Sequence, residues 1–224
     1  MTTVGILGAG KVVTVLARLS VAADYRTLIS ASGDPEAIRL IIDVLTPGAT
    51  AKASTDVARE SDIVILAVPL GRYRALPAAE LVGKVVIDAM NYWPPNDGVI
   101  AEFEAGAPSS QVVAAALPGA RLVKAFSHLG YHQLDEDGRA AGAPDRHAIA
   151  IAGDDEQAVQ AVAGLVDRLG FDPVVAGPLA AGIRFGPGST LFGVSTGRAE
   201  VGRLLVATGD AHPQRIRRPD IPAA

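Results

Sequence analysis

Apolar positions along the 224-residue chain follow two regimes that take turns. One is the short continuous run: Val4-Gly5-Ile6-Leu7, Ile63-Val64-Ile65-Leu66-Ala67-Val68 and Val85-Val86-Ile87. Such β-branched runs without polar alternation are how strands covered on both faces read. The other regime is helical spacing, as in Val12, Val15, Leu16 and Leu19 within Lys11 to Ala23. Taken in order, the pattern predicts strands at Val4–Leu7, Tyr25–Ile29, Thr50–Ala53, Asp62–Pro69, Lys84–Asp88, Arg121–Ala125, His147–Ala152 and Asp172–Ala176. Between them it predicts helices over Lys11–Ala23, from an Asp34 cap with Pro35 behind it to about Leu45, from a Ser54 or Thr55 cap to Ser61, from a Ser109 or Ser110 cap to Leu117, and over Asp154–Leu169. A last helix is expected from about Thr196 to Ala207, and the tail around Arg215-Ile216-Arg217-Arg218 reads as loosely packed. Strands alternating with helices at this spacing require right-handed crossovers, which gives an α/β fold: a Rossmann-type doubly wound, mostly parallel sheet with a small C-terminal extension. Residues 1–178 form the expected dinucleotide-type domain and residues 179–224 a small segment closing the substrate cleft.

The first strand runs into Gly8-Ala9-Gly10 and then a helix. A strand, a glycine turn and a helix start present backbone N–H groups and a positive helix end to a pyrophosphate. Gly8 permits the tight turn, and Gly10 lets phosphates approach without a Cβ in the way. Val13 stands where the full fingerprint has its third glycine.

Composition narrows the picture. Hydrophobic residues make up 49% of the chain, enough for a large core, and the net charge is −4, which argues against nucleic acid or an anionic membrane as partner. There is no cysteine, so thiolate catalysis and Cys-based metal sites are excluded. The apolar run near Ile63–Leu70 is far short of a membrane span, and the first strand leaves no room for a signal peptide, so a cytoplasmic protein is expected.

In a doubly wound sheet, ligands bind beyond the carboxyl ends of the strands. That rule selects the Gly8 turn, Ser30–Ser32, Val68–Arg72, Met90–Trp93 and Ser127–His132. Ser30 and Ser32 sit where a carboxylate would select NAD; two hydroxyls without a carboxylate lean toward NADP. Val68 and Pro69 would wall the nucleotide, and Asn91 in the Asn91-Tyr92-Trp93 loop would meet the nicotinamide carboxamide or its ribose. His128 is a candidate proton donor or substrate contact. His128 and His132 are four apart and would share a helix face, but no further ligand stands at metal spacing, and no metal is expected. No Tyr is followed four residues on by Lys, and no Gly-x-Ser-x-Gly elbow occurs.

Val64-Ile65-Leu66-Ala67-Val68-Pro69, Asp88-Ala89-Met90-Asn91-Tyr92-Trp93, Leu117-Pro118-Gly119-Ala120, Val123-Lys124-Ala125-Phe126-Ser127-His128 and Ala176-Gly177-Pro178-Leu179 occur in this order. Over residues 3–194 the chain resembles the F420-dependent NADP oxidoreductase family in the order and spacing of these motifs. The resemblance implies a homodimer and hydride exchange between NADP(H) and the deazaflavin coenzyme F420, or a flavin-like acceptor, as the small-molecule co-substrate. It implies that Gly8, Ala9, Gly10, Lys11 and Val12 hold the pyrophosphate and adenosine side, that Ala67, Val68 and Pro69 line the nucleotide, and that Met90 and Asn91 meet the nicotinamide. Ser127, His128 and Leu129, with Tyr92 and Trp93, would face the acceptor. The chain departs from family members at Ala9 (Thr there), Val13 (Gly), Ala31-Ser32 (Ser-Arg) and Ser127 (often Asn). Two alternatives stand beside this reading: an NADPH-dependent reductase of a small carbonyl or imine, and a non-catalytic dinucleotide sensor.

Overall fold

The computed structural model describes residues 1–8, 10–31 and 33–207. Its order is β1 (Thr3–Leu7), α1 (Lys11–Ala22), β2 (Arg26–Ser30), α2 (Pro35–Leu45), β3 (Ala49–Ala51), α3 (Ser54–Glu60), β4 (Ile63–Leu66), two 3-10 turns (Leu70–Ala75 and Ala78–Leu81), β5 (Val85–Asp88), the short α4 (Pro94–Asp97) and α5 (Ala101–Glu104), α6 (Ser109–Ala116), β6 (Arg121–Lys124), α7 (Tyr131–Glu136), β7 (Ala148–Gly153), α8 (Glu156–Arg168), β8 (Asp172–Gly177), a 3-10 segment (Leu179–Phe185) and α9 (Arg198–Ala207). Among the described residues the strands form one eight-stranded sheet in the order β3-β2-β1-β4-β5-β6-β7-β8. Every pairing is parallel except β6 with β7, so β7 and β8 form a reversed pair added to a six-stranded parallel sheet.

Period-two alternation decides which side chains go to which face. Val4, Ile6, Ile63, Ile65 and Ile87 point to the face covered by α1 and α8, where Val13, Leu16, Val162 and Leu165 meet them. Leu7, Val64, Leu66 and Val86 point to the other face, against Val57, Leu70, Tyr73 and Val113. On β7 the alternation is Ile149 and Ile151 to one side, Ala148, Ala150 and Ala152 to the other. The alanine face leaves room for the segment after β8, and Ala181, Phe185, Leu191, Val201 and Leu205 pack onto it. Residues 179–207 therefore rest on the reversed strand pair.

Helix starts follow capping chemistry in part. The Asp34 carboxylate accepts from the Glu36 N–H at 3.0 Å, and Asp155 does the same for Ala158 at 2.8 Å. The expected Ser54/Thr55 and Ser109/Ser110 caps do not form: Ala53 and Pro108 hold those positions without a side-chain cap. Ser110 instead turns its hydroxyl inward to a buried carboxylate. No helix among the described residues is long and apolar enough to cross a membrane.

Candidate functional site

The strand order reverses direction of growth at β1, where β4 follows on the far side from β2. A cleft of about 530 Å³ opens there beyond the carboxyl ends of the strands. Its walls are the turn after β1 (Gly8, Gly10, Lys11, Val12), Ala31 after β2, Ala67 to Pro69 and Arg72 after β4, and Ala89 to Asn91 after β5. Nine expected nucleotide contacts meet in it: Gly8, Gly10, Lys11, Val12, Ala67, Val68, Pro69, Met90 and Asn91. Ala9 and Ser32 lie outside the described residues.

The turn is built from backbone. The Gly8 N–H donates to the Ser30 carbonyl at 2.8 Å, and the Ala67 N–H to Leu7 at 2.9 Å, tying β2, β1 and β4 together at the cleft floor. Gly8 has φ +139°, and a Cβ there would stand 2.4 Å from the Ala67 carbonyl oxygen. A Cβ on Gly10 would meet nothing within 4 Å, so that surface is open to a ligand. Val13, at the position of the missing glycine, is 2% exposed and packs into the core under the turn. The helix still starts at Lys11 with its first turn on the cleft wall.

The β5–β6 side is built from side chains. Asp88 and Lys124 end their strands directly opposite each other, and both are buried. The Lys124 ammonium lies 3.3 Å from Asp88 Oδ2 and donates to the Met90 carbonyl. Ser110 donates to Asp88 Oδ2 at 2.6 Å, and Asp88 Oδ1 accepts the Met90 N–H at 2.9 Å. Both polar groups of the Met90 backbone are thus held by one buried ion pair. Beside it, Asn91 Nδ2 donates to the Ser127 carbonyl at 2.7 Å. Asn91 Oδ1 is buried with no hydrogen-bond partner among the described residues, and so is the Ser127 hydroxyl. Phe126 bends the chain after β6 with φ +58°, a left-handed conformation that a non-glycine residue adopts at a cost of about 1–2 kcal/mol.

Several expected site residues lie elsewhere. Ser30 is buried, and Ala31 is the residue after β2 that faces the cleft. His128 and His132 share no helix: α7 starts at Tyr131, and His128 lies in the preceding loop. His128 is fully buried and its Nε2 accepts from the Ala150 N–H at 3.1 Å, so the neutral ring carries its proton on Nδ1. Burial pushes its pKa down to about 4, which leaves it neutral and a poor proton donor near neutral pH. Leu129 belongs to the core. Tyr92 packs on Phe103 with ring centroids 5.1 Å apart, and its hydroxyl contacts Ile100, Gly98 and Glu104. Trp93 is half exposed, its N–H bound to Asp97. None of Tyr92, Trp93, Ser127, His128 and Leu129 lines the described cleft.

Ala31 and Arg72 fall in the expected segments Ser30–Ser32 and Val68–Arg72 without having been given a role; missed from sequence were Ala89 on the wall and the Asp88–Lys124–Ser110 network behind it. A charged residue ending each of two apolar strands was the available signal. A second polar cluster joins Ser195, His147 and Asp137. Ser195 Oγ lies 2.8 Å and Asp137 Oδ2 3.1 Å from the same ring nitrogen, His147 Nδ1. A nucleophile relay needs Ser and Asp on opposite nitrogens, so this cluster ties α7, β7 and the chain before α9 together without activating a serine.

Residues 3–92, which hold the glycine turn and the cleft wall through Asn91, match the family model described as NADP oxidoreductase, coenzyme F420-dependent. Beyond this match, most of the chain is similar to solved structures. A hypothetical protein, SMa0349, of Sinorhizobium meliloti is 29% identical with a TM-score of 0.76, covering 88% of this chain and 96% of its own. A candidate F420-dependent NADP reductase of Arthrobacter sp. FB24 is 21% identical with a TM-score of 0.67, covering 93% and 91%. An imine reductase of Myxococcus stipitatus in complex with NADP+ has a TM-score of 0.60 at 17% identity, and only 61% of that longer chain is covered. At these last two identities the likeness is one of fold. No curated protein matches the chain.

Proposed function

We propose that the protein is an NADP(H)-dependent oxidoreductase that exchanges a hydride with a deazaflavin or flavin-like acceptor, coenzyme F420 being the first candidate. The observation that carries the nucleotide half is Asn91. Asn91 lines the cleft; its Nδ2 is spent on the Ser127 carbonyl, which leaves Oδ1 as a buried acceptor without a donor among the described residues. A primary carboxamide supplies the missing donor, and nicotinamide carries one. The open surface at Gly10 fits the diphosphate of the same molecule. The acceptor half rests on the match of residues 3–92 to the F420-dependent family model.

When bound, the nicotinamide ring supplies the hydride chemistry. The chain's own part is binding, orientation and exclusion of water. The glycine turn and the start of α1 direct N–H groups and a partial positive charge at the phosphates. Val68, Pro69 and Met90 give an apolar wall, and Asn91 fixes which way the carboxamide faces. The Asp88–Lys124 pair holds the Met90 backbone from behind, so the residue before Asn91 has one orientation. Hydride exchange between two stacked rings needs proximity and alignment more than an acid or base, which agrees with a cleft wall that carries no histidine or carboxylate among its described residues.

The test mixes the protein with NADPH and F420 and follows F420 absorbance. NADPH-dependent bleaching is expected. Tight NADPH binding without turnover of F420, FMN or a cyclic imine would favour the sensor reading, and turnover of the imine alone would move the protein to imine reduction.

A further inference from the structure

We infer that Arg72 is the residue that binds the 2′-phosphate of NADP(H), so that selectivity for the phosphorylated nucleotide comes from the turn after β4 and not from the turn after β2. The inference rests on the nucleotide reading above. The chain carries a net charge of −4, yet the described cleft wall holds two cations, Lys11 and Arg72, and no carboxylate. The two cations are in different states. Lys11, in the first turn of α1, is held by the Tyr131 hydroxyl at 3.1 Å and sits 4.9 Å from the centre of that ring. Arg72 is exposed, and its guanidinium has no hydrogen-bond, ion-pair or ring partner among the described residues. Its neighbour Arg74 shows the contrast, paired with Glu102 at 2.7 Å and placed over the Tyr73 ring.

The backbone that carries Arg72 is fixed although its side chain is not. The Arg72 N–H donates to Pro69 at 2.9 Å, and the Gly71 N–H donates to the Asp97 carboxylate, also at 2.9 Å. An unpaired guanidinium on an anchored turn at a cleft wall is a receptor waiting for an anion, since a bidentate guanidinium fits a phosphate monoester.

Counting phosphates says which one. NADP(H) brings a diphosphate and a 2′-phosphate. The glycine turn, the start of α1 and Lys11 answer the diphosphate. The usual place for the 2′-phosphate is the end of β2. Here the cleft wall at that end, among the described residues, is Ala31, Ser30 is buried, and the next cation along the chain, Arg39 on α2, is paired with Glu36 at 3.3 Å. β2 and β4 flank β1, so their carboxyl ends stand about 10 Å apart across the glycine turn, and an adenosine lying over that turn has Ala31 on one side and Arg72 on the other.

Calorimetric titration of wild type, R72A and R72K with NADPH, NADH, 2′,5′-ADP and 5′-ADP tests this. The Arg72 side chain makes no hydrogen bond, ion pair or ring contact among the described residues and is exposed, so both variants are expected to melt at the wild-type temperature. R72A should weaken NADPH and 2′,5′-ADP on the order of 10- to 100-fold and leave NADH and 5′-ADP within about twofold. R72K should fall between, because a point charge replaces a bidentate fork. Equal losses for NADPH and NADH would place Arg72 on the diphosphate and overturn the inference. So would unchanged nucleotide affinity in R72A, including the case where only the KM for F420 rises and Arg72 holds the acceptor. Wild-type protein that binds NADH as tightly as NADPH overturns the inference alone. Wild-type protein that binds neither overturns it together with the nucleotide reading.

Discussion

The two sides of the cleft are made of different materials. The β1–β2–β4 side is backbone and small residues: Gly8, Gly10, Ala31 and Ala67 present N–H groups, carbonyls and space. The β5–β6 side is side chains: the Asp88–Lys124–Ser110 network holds Met90, and Asn91 is clamped to Ser127. The first side needs residues that stay out of the way. The second needs particular charges brought together from distant parts of the chain. The difference teaches why one half of a dinucleotide site is recognisable as a motif and the other half is not.

The largest effect is expected from breaking the β5–β6 side at its ion pair. Lys124→Met leaves the Asp88 carboxylate buried without its counter-charge and should cost about 3–5 kcal/mol, read from urea unfolding. The double variant D88N/K124M removes both charges and should recover most of that loss. A single-variant loss below about 1 kcal/mol would mean that this side does not depend on the network.

His128 sits on the same side and gives a pH signature. The unfolded ring binds a proton below about pH 6.5, and the folded one, at a pKa of about 4, does not until far lower. Its contribution is therefore complete above about pH 6.5 and is lost as pH falls toward 4, by roughly 3 kcal/mol in all. Comparing wild type with H128Q in denaturant melts across that range isolates the effect, since Gln can still accept from Ala150 but does not titrate. Parallel curves for the two proteins would refute a neutral buried histidine.

The backbone side predicts a split between its two glycines. Gly8→Ala forces a Cβ against the Ala67 carbonyl at a positive φ and should destabilise by about 2–3 kcal/mol. Gly10→Ala meets open space and should cost at most about 1 kcal/mol in stability, while NADPH affinity falls about tenfold because the Cβ stands where the phosphates approach. Thermal melts and NADPH titrations on both variants check this. Equal affinity for NADPH in wild type and G10A would remove the diphosphate from the turn.

Asn91→Ala gives the smallest change and the sharpest one. It should weaken NADPH about fivefold, the worth of one hydrogen bond, and leave 2′,5′-ADP, which lacks the nicotinamide half, unchanged. An equal loss for both ligands would place Asn91 away from the carboxamide.

Much of this was written locally. The short continuous apolar runs marked the strands, and Asp34 with Pro35 marked the start of α2 because a cap and its helix lie within a few residues. The glycine turn was legible for the same reason. Two serine caps failed because Ser110 found a better partner in Asp88, 22 positions away. Ser30 was read as a ligand contact although the pleat sends its side chain inward. His128 and His132 were placed on one helix face by spacing alone, but Phe126 adopts a left-handed backbone without a glycine to announce it, and the helix starts later.

What the sequence determined by itself was the order of the strands and the longer helices and the turn after β1, because periodicity and glycine chemistry act over a few residues, while the short α4, α5 and α7 were not foreseen. The tertiary structure decided the rest. The β5–β6 register sets Asp88 beside Lys124, 36 positions apart, and the reversed β7 puts an alanine face under residues 179–207. Strand register is set by packing between segments far apart in the chain, so the charges that hold Met90, and the Arg72 guanidinium without a partner among the described residues, become visible only when the sheet is assembled.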